Sequence, residues 1–103
     1  MDALDKWRSK IDEIDLQLVR LLNERARHAE EIGRAKLGLG LEAYSPEREE
    51  EVMRNVTTWN AGPLTEQAVR RLFERIIDES RSVERIAMLR HRKSRRDAAR
   101  PEG

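Results

Sequence analysis

The sequence predicts an all-α protein of three helices, of which the first is very long. Apolar residues recur at alternating spacings of three and four along most of the chain, which is the period of one helix face. No segment shows the period-two alternation of a half-buried strand. The 103 residues suffice for one domain, and a charged fraction of 40% leaves little apolar material for a core. We therefore expect two copies of the chain to share a core.

The first predicted helix has Asp2 as its N-cap and ends near Leu37, where Gly38-Leu39-Gly40 interrupts it. Its apolar stripe consists of Leu4, Trp7, Ile11, Ile14, Leu18, Leu21, Ile32, Ala35 and Leu39. At about 1.5 Å per residue, this helix is about 50 Å long. The rest of the chain is too short to cover it, so we expect an intertwined helical homodimer in which a second copy closes the core.

Capping signals delimit the second and third predicted helices. Ser45-Pro46 provides an N-cap followed by a proline at the first helical position, and Asn60-Ala61-Gly62-Pro63 ends the second helix. Thr65 is the expected cap of the third helix. The third stripe consists of Val69, Leu72, Phe73, Ile76, Ile77, Ser80, Val83 and Ala87. The apolar pattern stops near Leu89, and the residues beyond it are expected to lead into a frayed tail.

The charge distribution divides the chain into a helical domain, residues 1–90, and a basic, flexible C-terminal tail, residues 91–103. The 21 lysines and arginines nearly balance 20 acidic residues, so the net charge of +1 predicts neither a nucleic-acid nor an anionic-membrane partner. The tail lacks the aromatic side chains that stack on bases. This composition favours a solvated helix end over nucleic-acid binding.

The absence of cysteine from the sequence excludes a disulfide framework and a thiolate metal site. The two histidines, His28 and His91, are isolated, so we expect no metal and no redox cofactor. The chain begins without the pattern of a signal peptide and has no apolar stretch long enough to cross a bilayer. A cytoplasmic protein without a membrane partner is therefore expected.

Polar residues interrupt the apolar stripes and predict a pocket. Arg25 occupies a stripe position where a hydrophobic residue is expected, and Lys36, eleven residues later, is rotated from it by only about 20°. Because a guanidinium is costly to bury alone, Arg25 implies a buried anion. The other polar groups at core-facing positions are Arg48, Glu49, Ser80 and Glu84. Together they predict a pocket for a small ligand with two negative charges, although spacing alone also allows Arg25 to pair with a glutamate.

Arg8 cannot reach such a pocket within its own chain. It precedes Lys36 by 28 residues. The axial separation is therefore about 42 Å, more than two side chains of roughly 7 Å each can span. If Arg8 serves a pocket of this kind, the pocket belongs to another subunit.

The pattern of these residues resembles that of the all-helical chorismate mutases, small dimeric enzymes of the shikimate pathway. The resemblance extends from about Leu4 to Glu84. The matching positions are Arg8 in Trp7-Arg8-Ser9-Lys10-Ile11-Asp12-Glu13-Ile14-Asp15, Arg25 in Leu21-Leu22-Asn23-Glu24-Arg25, Lys36 in Ile32-Gly33-Arg34-Ala35-Lys36, the pair Arg48-Glu49, Ser80 and Glu84. Two positions depart from the most familiar pattern: Ser45 stands where some relatives have aspartate, and Glu84 replaces a glutamine.

The resemblance implies an enzyme that rearranges chorismate to prephenate in phenylalanine and tyrosine biosynthesis. This reaction is intramolecular and pericyclic, and it needs no nucleophile, metal or cofactor. Catalysis would then consist of holding the substrate in its reactive chair form and stabilising charge as the ether bond breaks. Arg25 and Arg8 of the partner subunit would bind the carboxylates, with Arg48 supporting the side of the ring.

The resemblance also assigns roles to the remaining site residues. Lys36 would donate to the ether oxygen, and Glu49 would orient the ring hydroxyl. Glu84 would lie opposite Lys36 and would have to be protonated to donate to the ether oxygen, so activity is expected to fall as the pH rises. Ser80 and Ser45 complete the expected substrate contacts.

Two alternative functions remain open at the level of sequence. Isochorismate-pyruvate lyase shares the scaffold and the cations, but Glu49 favours the mutase because the lyase substrate carries its hydroxyl elsewhere. The other alternative is a non-enzymatic helical interaction module whose stripe charges pair internally. In such a module, Arg25→Ala would mainly lower stability.

Overall fold

The computed structural model describes residues 2–99 and contains three helices. They are α1 (Ala3–Leu39), α2 (Pro46–Trp59) and α3 (Glu66–Ala99). The prediction of an all-α fold with a very long first helix is confirmed, since residues 2–99 contain no strand. No helix in this part of the chain is both long enough and apolar enough to cross a membrane.

The start of α1 agrees with the sequence, whereas its end lies further along the chain. The Asp2 carboxylate accepts a hydrogen bond from the backbone N–H of Asp5 at 2.8 Å, which confirms the N-cap. At the other end, Gly38 and Leu39 remain helical, and the C-cap is Gly40 in the left-handed conformation, with φ of 70°. The predicted end near Leu37 was therefore two residues too early. A single glycine is tolerated inside a helix, and the helix ends where the backbone turns left-handed.

The caps of the two following helices agree with the prediction. Ser45 occupies the N-cap position of α2 with an extended backbone, and Pro46 follows as the first helical residue. The hydroxyl of Thr65 accepts a hydrogen bond from the backbone N–H of Ala68 at 3.1 Å at the start of α3.

Helix α3 continues past Leu89, where the apolar pattern stops, to Ala99. Arginine, lysine and alanine favour helix, and neither glycine nor proline occurs from Leu89 until Pro101. The loss of the apolar pattern therefore does not end the helix. Residues 100–103 of the expected tail lie outside the described residues, and the flexibility of the tail stays a prediction.

Helix α3 packs against both α1 and α2, and small side chains form much of the core. Arg25 of α1 contacts Ser80 of α3, and Lys36 contacts Glu84, so contacts advance in the same direction along both helices. Helices α1 and α3 therefore run parallel. The buried apolar residues are Ala29, Ala43, Val56, Val69, Ile77 and Ala87.

The contact between α1 and α3 is centred on Ala29 and Gly33, the buried residues of α1, and Gly33 lies one residue along from Ile32 of the expected stripe. Gly33 is buried, and a Cβ atom there would lie 2.6 Å from the backbone carbonyl oxygen of Glu84. Ile32 is instead 49% exposed. The small residues permit a close helix approach that larger side chains would prevent.

The N-terminal half of α1 carries an apolar face that nothing else in residues 2–99 buries. Its members are between 49% and 60% exposed: Leu4, Trp7, Ile11, Ile14, Leu18 and Leu21. Such a long apolar face is unusual for a monomer.

Candidate active site

A cavity of about 380 Å³ lies between the three helices. It falls within the size range of small-ligand sites. The predicted site residues that line it are Arg25, Lys36, Ser45, Arg48, Glu49, Ser80 and Glu84. Arg8 is not among the lining residues. The tertiary structure thus brings together residues from all three helices that the sequence separates by up to about sixty positions.

Lys36 and Glu84 form an ion pair in the wall of this cavity. The Lys36 Nζ atom lies 2.7 Å from Glu84 Oε1, and the two side chains are 17% and 13% exposed. Lys36 Nζ also donates a hydrogen bond to the Ala43 carbonyl oxygen at 2.8 Å. Although the ion-pair distance is short, no donor within residues 2–99 is aligned with Glu84 Oε1 as a hydrogen bond. Because an ammonium group has three donors, Lys36 retains capacity for a ligand.

Arg25 is a partly buried cation with unused donors. Its guanidinium donates to the Ser80 hydroxyl. Burial, and then the nearby charge of Arg48, lower the pKa of Arg25, whereas Glu84 raises it. Because a guanidinium remains charged in proteins, the lowered pKa reports a destabilised cation. A bound anion would relieve this cost, as expected of a site that recognises carboxylates.

Arg48 lies at the outer part of the cavity and makes its ion pair on the exposed side. Its guanidinium donates to Glu51, and the two side chains are 62% and 54% exposed. An exposed pair of this type is worth little, so Glu51 competes only weakly with a ligand for Arg48.

Glu49 is held by Arg81, a residue that was not among those predicted for the site. Arg81 Nε donates to Glu49 Oε2 at 3.0 Å, and Arg81 Nη2 donates to Glu49 Oε1 at 2.6 Å. The Arg81 guanidinium also lies 4.8 Å from the centroid of the Tyr44 ring. The hydrogen bond with Glu49 raises the pKa of Arg81 despite the opposing effect of burial.

A signal for Arg81 was present in the sequence. Arg81 follows Ile77 by four positions and precedes Glu84 by three, so it shares their helix face. The adjacent residue, Ser80, was predicted to belong to the site instead. Only the position of α2 relative to α3 shows that Arg81 meets Glu49.

Ser45 and His28 are further polar residues in the lining of the cavity. Within residues 2–99, the Ser45 hydroxyl makes no capping hydrogen bond, so it remains available to a ligand. His28 also lines the cavity, one turn after Arg25. The described part of the chain has no cluster of three or more histidine and carboxylate side chains arranged to hold a metal ion.

The charges around the cavity suit a dianionic ligand. Arg25, Lys36, Arg48 and Arg81 face two carboxylates, Glu49 and Glu84, which leaves a balance of two positive charges. Cations with free donors bind and orient carboxylates, while the two acidic side chains provide acceptors for hydroxyl groups. The site can therefore bind a small dicarboxylate and fix its orientation.

The sequence of this chain is similar to sequences of known proteins. The model of the family chorismate mutase type II matches residues 7–85. A bifunctional chorismate mutase/prephenate dehydratase from Neisseria gonorrhoeae is 49% identical over 84 residues, which cover 82% of this chain and 23% of that protein. The bifunctional chorismate mutase/prephenate dehydratase of Pseudomonas aeruginosa is 40% identical over 89 residues, covering 81% and 24%. The chain thus spans about a quarter of the length of these relatives.

Solved structures give a similar result. Chorismate mutase (form II) from Thermus thermophilus is 37% identical, with a TM-score of 0.80, and the match covers 82% of this chain and 96% of that one. A conserved hypothetical protein from Pyrococcus furiosus is 33% identical with a TM-score of 0.68, covering 82% and 97%. With the family match spanning most of the chain, the protein belongs to the chorismate mutase type II family.

Proposed function

We propose that this protein catalyses the rearrangement of chorismate to prephenate. The observation that carries the proposal is the cavity in which Arg25 and the Lys36–Glu84 pair lie together with a balance of two positive charges. Chorismate is a dianion of two carboxylates that also carries an ether oxygen and a ring hydroxyl. The cavity offers cations for the carboxylates and the ether oxygen, and a carboxylate acceptor for the hydroxyl. Membership of the chorismate mutase type II family supports the same reaction.

In this mechanism, the protein restrains a reaction that takes place entirely within the substrate. The ether C–O bond breaks as a new C–C bond forms, and no proton or electron pair is exchanged with the protein. Arg25 binds a carboxylate, and Arg48 supports the side of the substrate ring from the outer part of the cavity. Holding both ends of the flexible substrate favours the reactive chair form and lowers the entropic part of the barrier.

Electrostatic stabilisation comes from the other wall of the cavity. Negative charge develops on the ether oxygen as its bond breaks, and the Lys36 ammonium donates to it. Glu84, an anion in the charge balance of the free site, must take up a proton when the dianionic substrate binds in order to donate from the opposite side, because a carboxylate can only accept. Glu49 accepts a hydrogen bond from the ring hydroxyl. Ser45 and Ser80 complete the polar contacts with the substrate.

The active enzyme in this proposal is a homodimer in which Arg8 completes the site of the other subunit. The apolar face on the N-terminal half of α1 supports dimerisation, since its half-exposed side chains require a cover. Arg8 lies on this same half of α1 and does not line the cavity of its own chain. We further propose a place in aromatic amino acid biosynthesis, which the names of the relatives from N. gonorrhoeae and P. aeruginosa support. A cytoplasmic location is part of the same proposal.

The direct test is turnover of chorismate by the purified protein, with prephenate measured by chromatography. Isochorismate is incubated separately, with pyruvate release as the measure of lyase activity. We expect prephenate from chorismate, and we expect Lys36→Met to lower kcat by about 100-fold or more, the usual loss when one charge-stabilising donor is removed. Lys93→Met, on the exposed end of α3, serves as the matched control and should keep full activity. Pyruvate release without prephenate formation would replace the mutase with the lyase.

A further inference from the structure

Arg81 and Glu49 join α3 to α2 through a two-point contact at the edge of the cavity. Both guanidinium nitrogens that face Glu49 donate to it, at 3.0 Å from Nε to Oε2 and at 2.6 Å from Nη2 to Oε1. The side chains are 23% and 26% exposed, so water screens this pair less than it screens the helix-surface pairs of α3. A two-point contact fixes the plane of the carboxylate as well as its position.

Arg81 is itself held in place from a third segment. The guanidinium lies 4.8 Å from the centroid of the Tyr44 ring, within the range of a cation–π contact. Tyr44 belongs to the connection between α1 and α2, directly before Ser45. The chain Tyr44–Arg81–Glu49 therefore ties the connection, α3 and α2 together beside the ligand cavity.

The contact with Arg81 leaves Glu49 able to accept one more hydrogen bond. A carboxylate has about four lone-pair sites, and the three hydrogen bonds from Arg81, two to Oε2 and one to Oε1, leave a site on Oε1. Both Glu49 and Arg81 line the cavity. Without Arg81, the Glu49 side chain would have several rotatable bonds with which to turn away, and ordering it on binding would cost free energy.

We propose that Arg81 is a positioning residue that fixes the Glu49 carboxylate as the acceptor for the ring hydroxyl of the substrate. This inference rests on the proposed mutase function and assigns a specificity element to the same site. Arg81 acts through Glu49, and its charge also contributes to the positive balance of the cavity. A substrate with its hydroxyl at the matching ring position gains a preordered acceptor, whereas one lacking the hydroxyl gains nothing from Arg81 beyond its charge.

The test compares two substrates in the variant Arg81→Lys, which keeps the charge and removes the two-point contact. The substrates are chorismate and an analogue of chorismate that lacks only the ring hydroxyl. We expect Arg81→Lys to lower kcat/KM for chorismate by about 10-fold to 100-fold, the range reached when a reacting group is misplaced by up to about 1 Å. For the analogue, kcat/KM should remain that of the wild-type protein. A general loss of folding would lower both values alike.

A mutant cycle supplies the second readout. In a Glu49→Gln background, Arg81→Lys should cause little further loss, because the carboxylate that Arg81 holds is already gone. Arg70→Lys is the matched control, since Arg70 lies on the same helix in an exposed pair with Glu66. It should leave both substrates unaffected.

Three results would overturn the inference, and they are distinguishable. An equal loss for both substrates would show that Arg81 acts through folding and not through the ring hydroxyl, and full chorismate activity in Arg81→Lys would show that the two-point contact is dispensable. Independent losses in the cycle would separate Arg81 from Glu49. A wild-type protein that produces no prephenate would instead overturn the proposed function, and the role of Arg81 with it.

Discussion

Lys36 and Glu84 meet across the α1–α3 contact, with 2.7 Å between Nζ and Oε1, one turn beyond the glycine that lets the two helices touch. Gly33 precedes Lys36 by three positions and lies against the backbone of Glu84 itself. Glu84 therefore supplies both the backbone that Gly33 packs against and one half of the ion pair. The spacing of the helices and the geometry of the site are coupled at this point.

This coupling predicts that Gly33→Ala reduces both stability and activity. The added Cβ would lie 2.6 Å from a backbone oxygen that cannot rotate away, so α3 must shift. We expect the free energy of unfolding to fall by about 1–3 kcal/mol, the usual cost of overpacking, together with a lower kcat. Denaturant unfolding and steady-state kinetics measure the two effects.

Gly38→Ala is the matched control for this substitution. Gly38 is also a helical glycine of α1, and a Cβ atom there meets nothing within 4 Å in the described structure. Alanine should stabilise the helix by about 0.5–1 kcal/mol and leave kcat unchanged. Equal behaviour of the two alanine variants would contradict a special role for the close contact at Gly33.

The proposed role of Glu84 predicts a pH dependence that glutamine removes. Only the neutral acid can donate to the ether oxygen, so wild-type kcat should fall as the pH rises and the carboxyl ionises. Glu84→Gln carries an amide donor at every pH, and its profile should be flat. The measurement is kcat at saturating chorismate from mildly acidic to alkaline pH. A flat wild-type profile over that range would rule out donation by Glu84.

Arg25 should reduce the stability of the free protein and be essential for binding a dianion. A lowered pKa means that folding makes the charged form of Arg25 less favourable. Since Arg25 is charged in both states at neutral pH, this cost is fully present there and fades only as the pH rises through the folded pKa. The thermal midpoint of ligand-free Arg25→Leu should therefore equal or exceed that of the wild type.

Binding of prephenate, which retains two carboxylates, provides the second half of this prediction. At about 100 times its Kd, a ligand stabilises the native state by about 2.7 kcal/mol, so the wild-type midpoint should rise clearly. The rise should disappear in Arg25→Leu. A rise that persists in Arg25→Leu would show that Arg25 is not needed for binding. A variant of lower stability, with no prephenate-induced rise in either protein, would favour the helical interaction module over the enzyme.

The shared site predicts that two inactive variants restore each other. Arg8→Ala and Arg25→Ala should each have strongly reduced activity, because each lacks one carboxylate-binding cation. After subunit exchange, a heterodimer contains one site with both arginines and one with neither. Activity in the mixture should therefore recover toward one working site per heterodimer, measured as prephenate formation after exchange is proven with differently tagged subunits.

The control for this experiment mixes differently tagged copies of the same variant, which should stay inactive. Sedimentation at working concentration measures the dimer independently. No recovery despite proven exchange would show that Arg8 does not complete the site of the other subunit.

Local chemistry in the sequence predicted where each of the three helices begins. Asp2 and Thr65 cap α1 and α3 through side-chain hydrogen bonds to nearby backbone N–H groups, so both caps can be predicted from the sequence alone. Arg25 could likewise be predicted as a site residue from the sequence alone. A charge on an apolar stripe conflicts with its surroundings, and the helical period then places Lys36 on the same face.

The tertiary structure decided features that depend on the contact between helices. Ala29 and Gly33 form the centre of the α1–α3 contact because the backbone of α3 can approach them closely. The apolar pattern of α1 carries no information about this distance. The pairing of Glu49 with Arg81 joins residues 32 positions apart on different helices. Helical periodicity relates residues within one helix, whereas the relative position of two helices follows from packing of the whole core. The sequence by itself therefore determined the helices, their caps and the cationic character of the site, and packing determined which side chains meet in it.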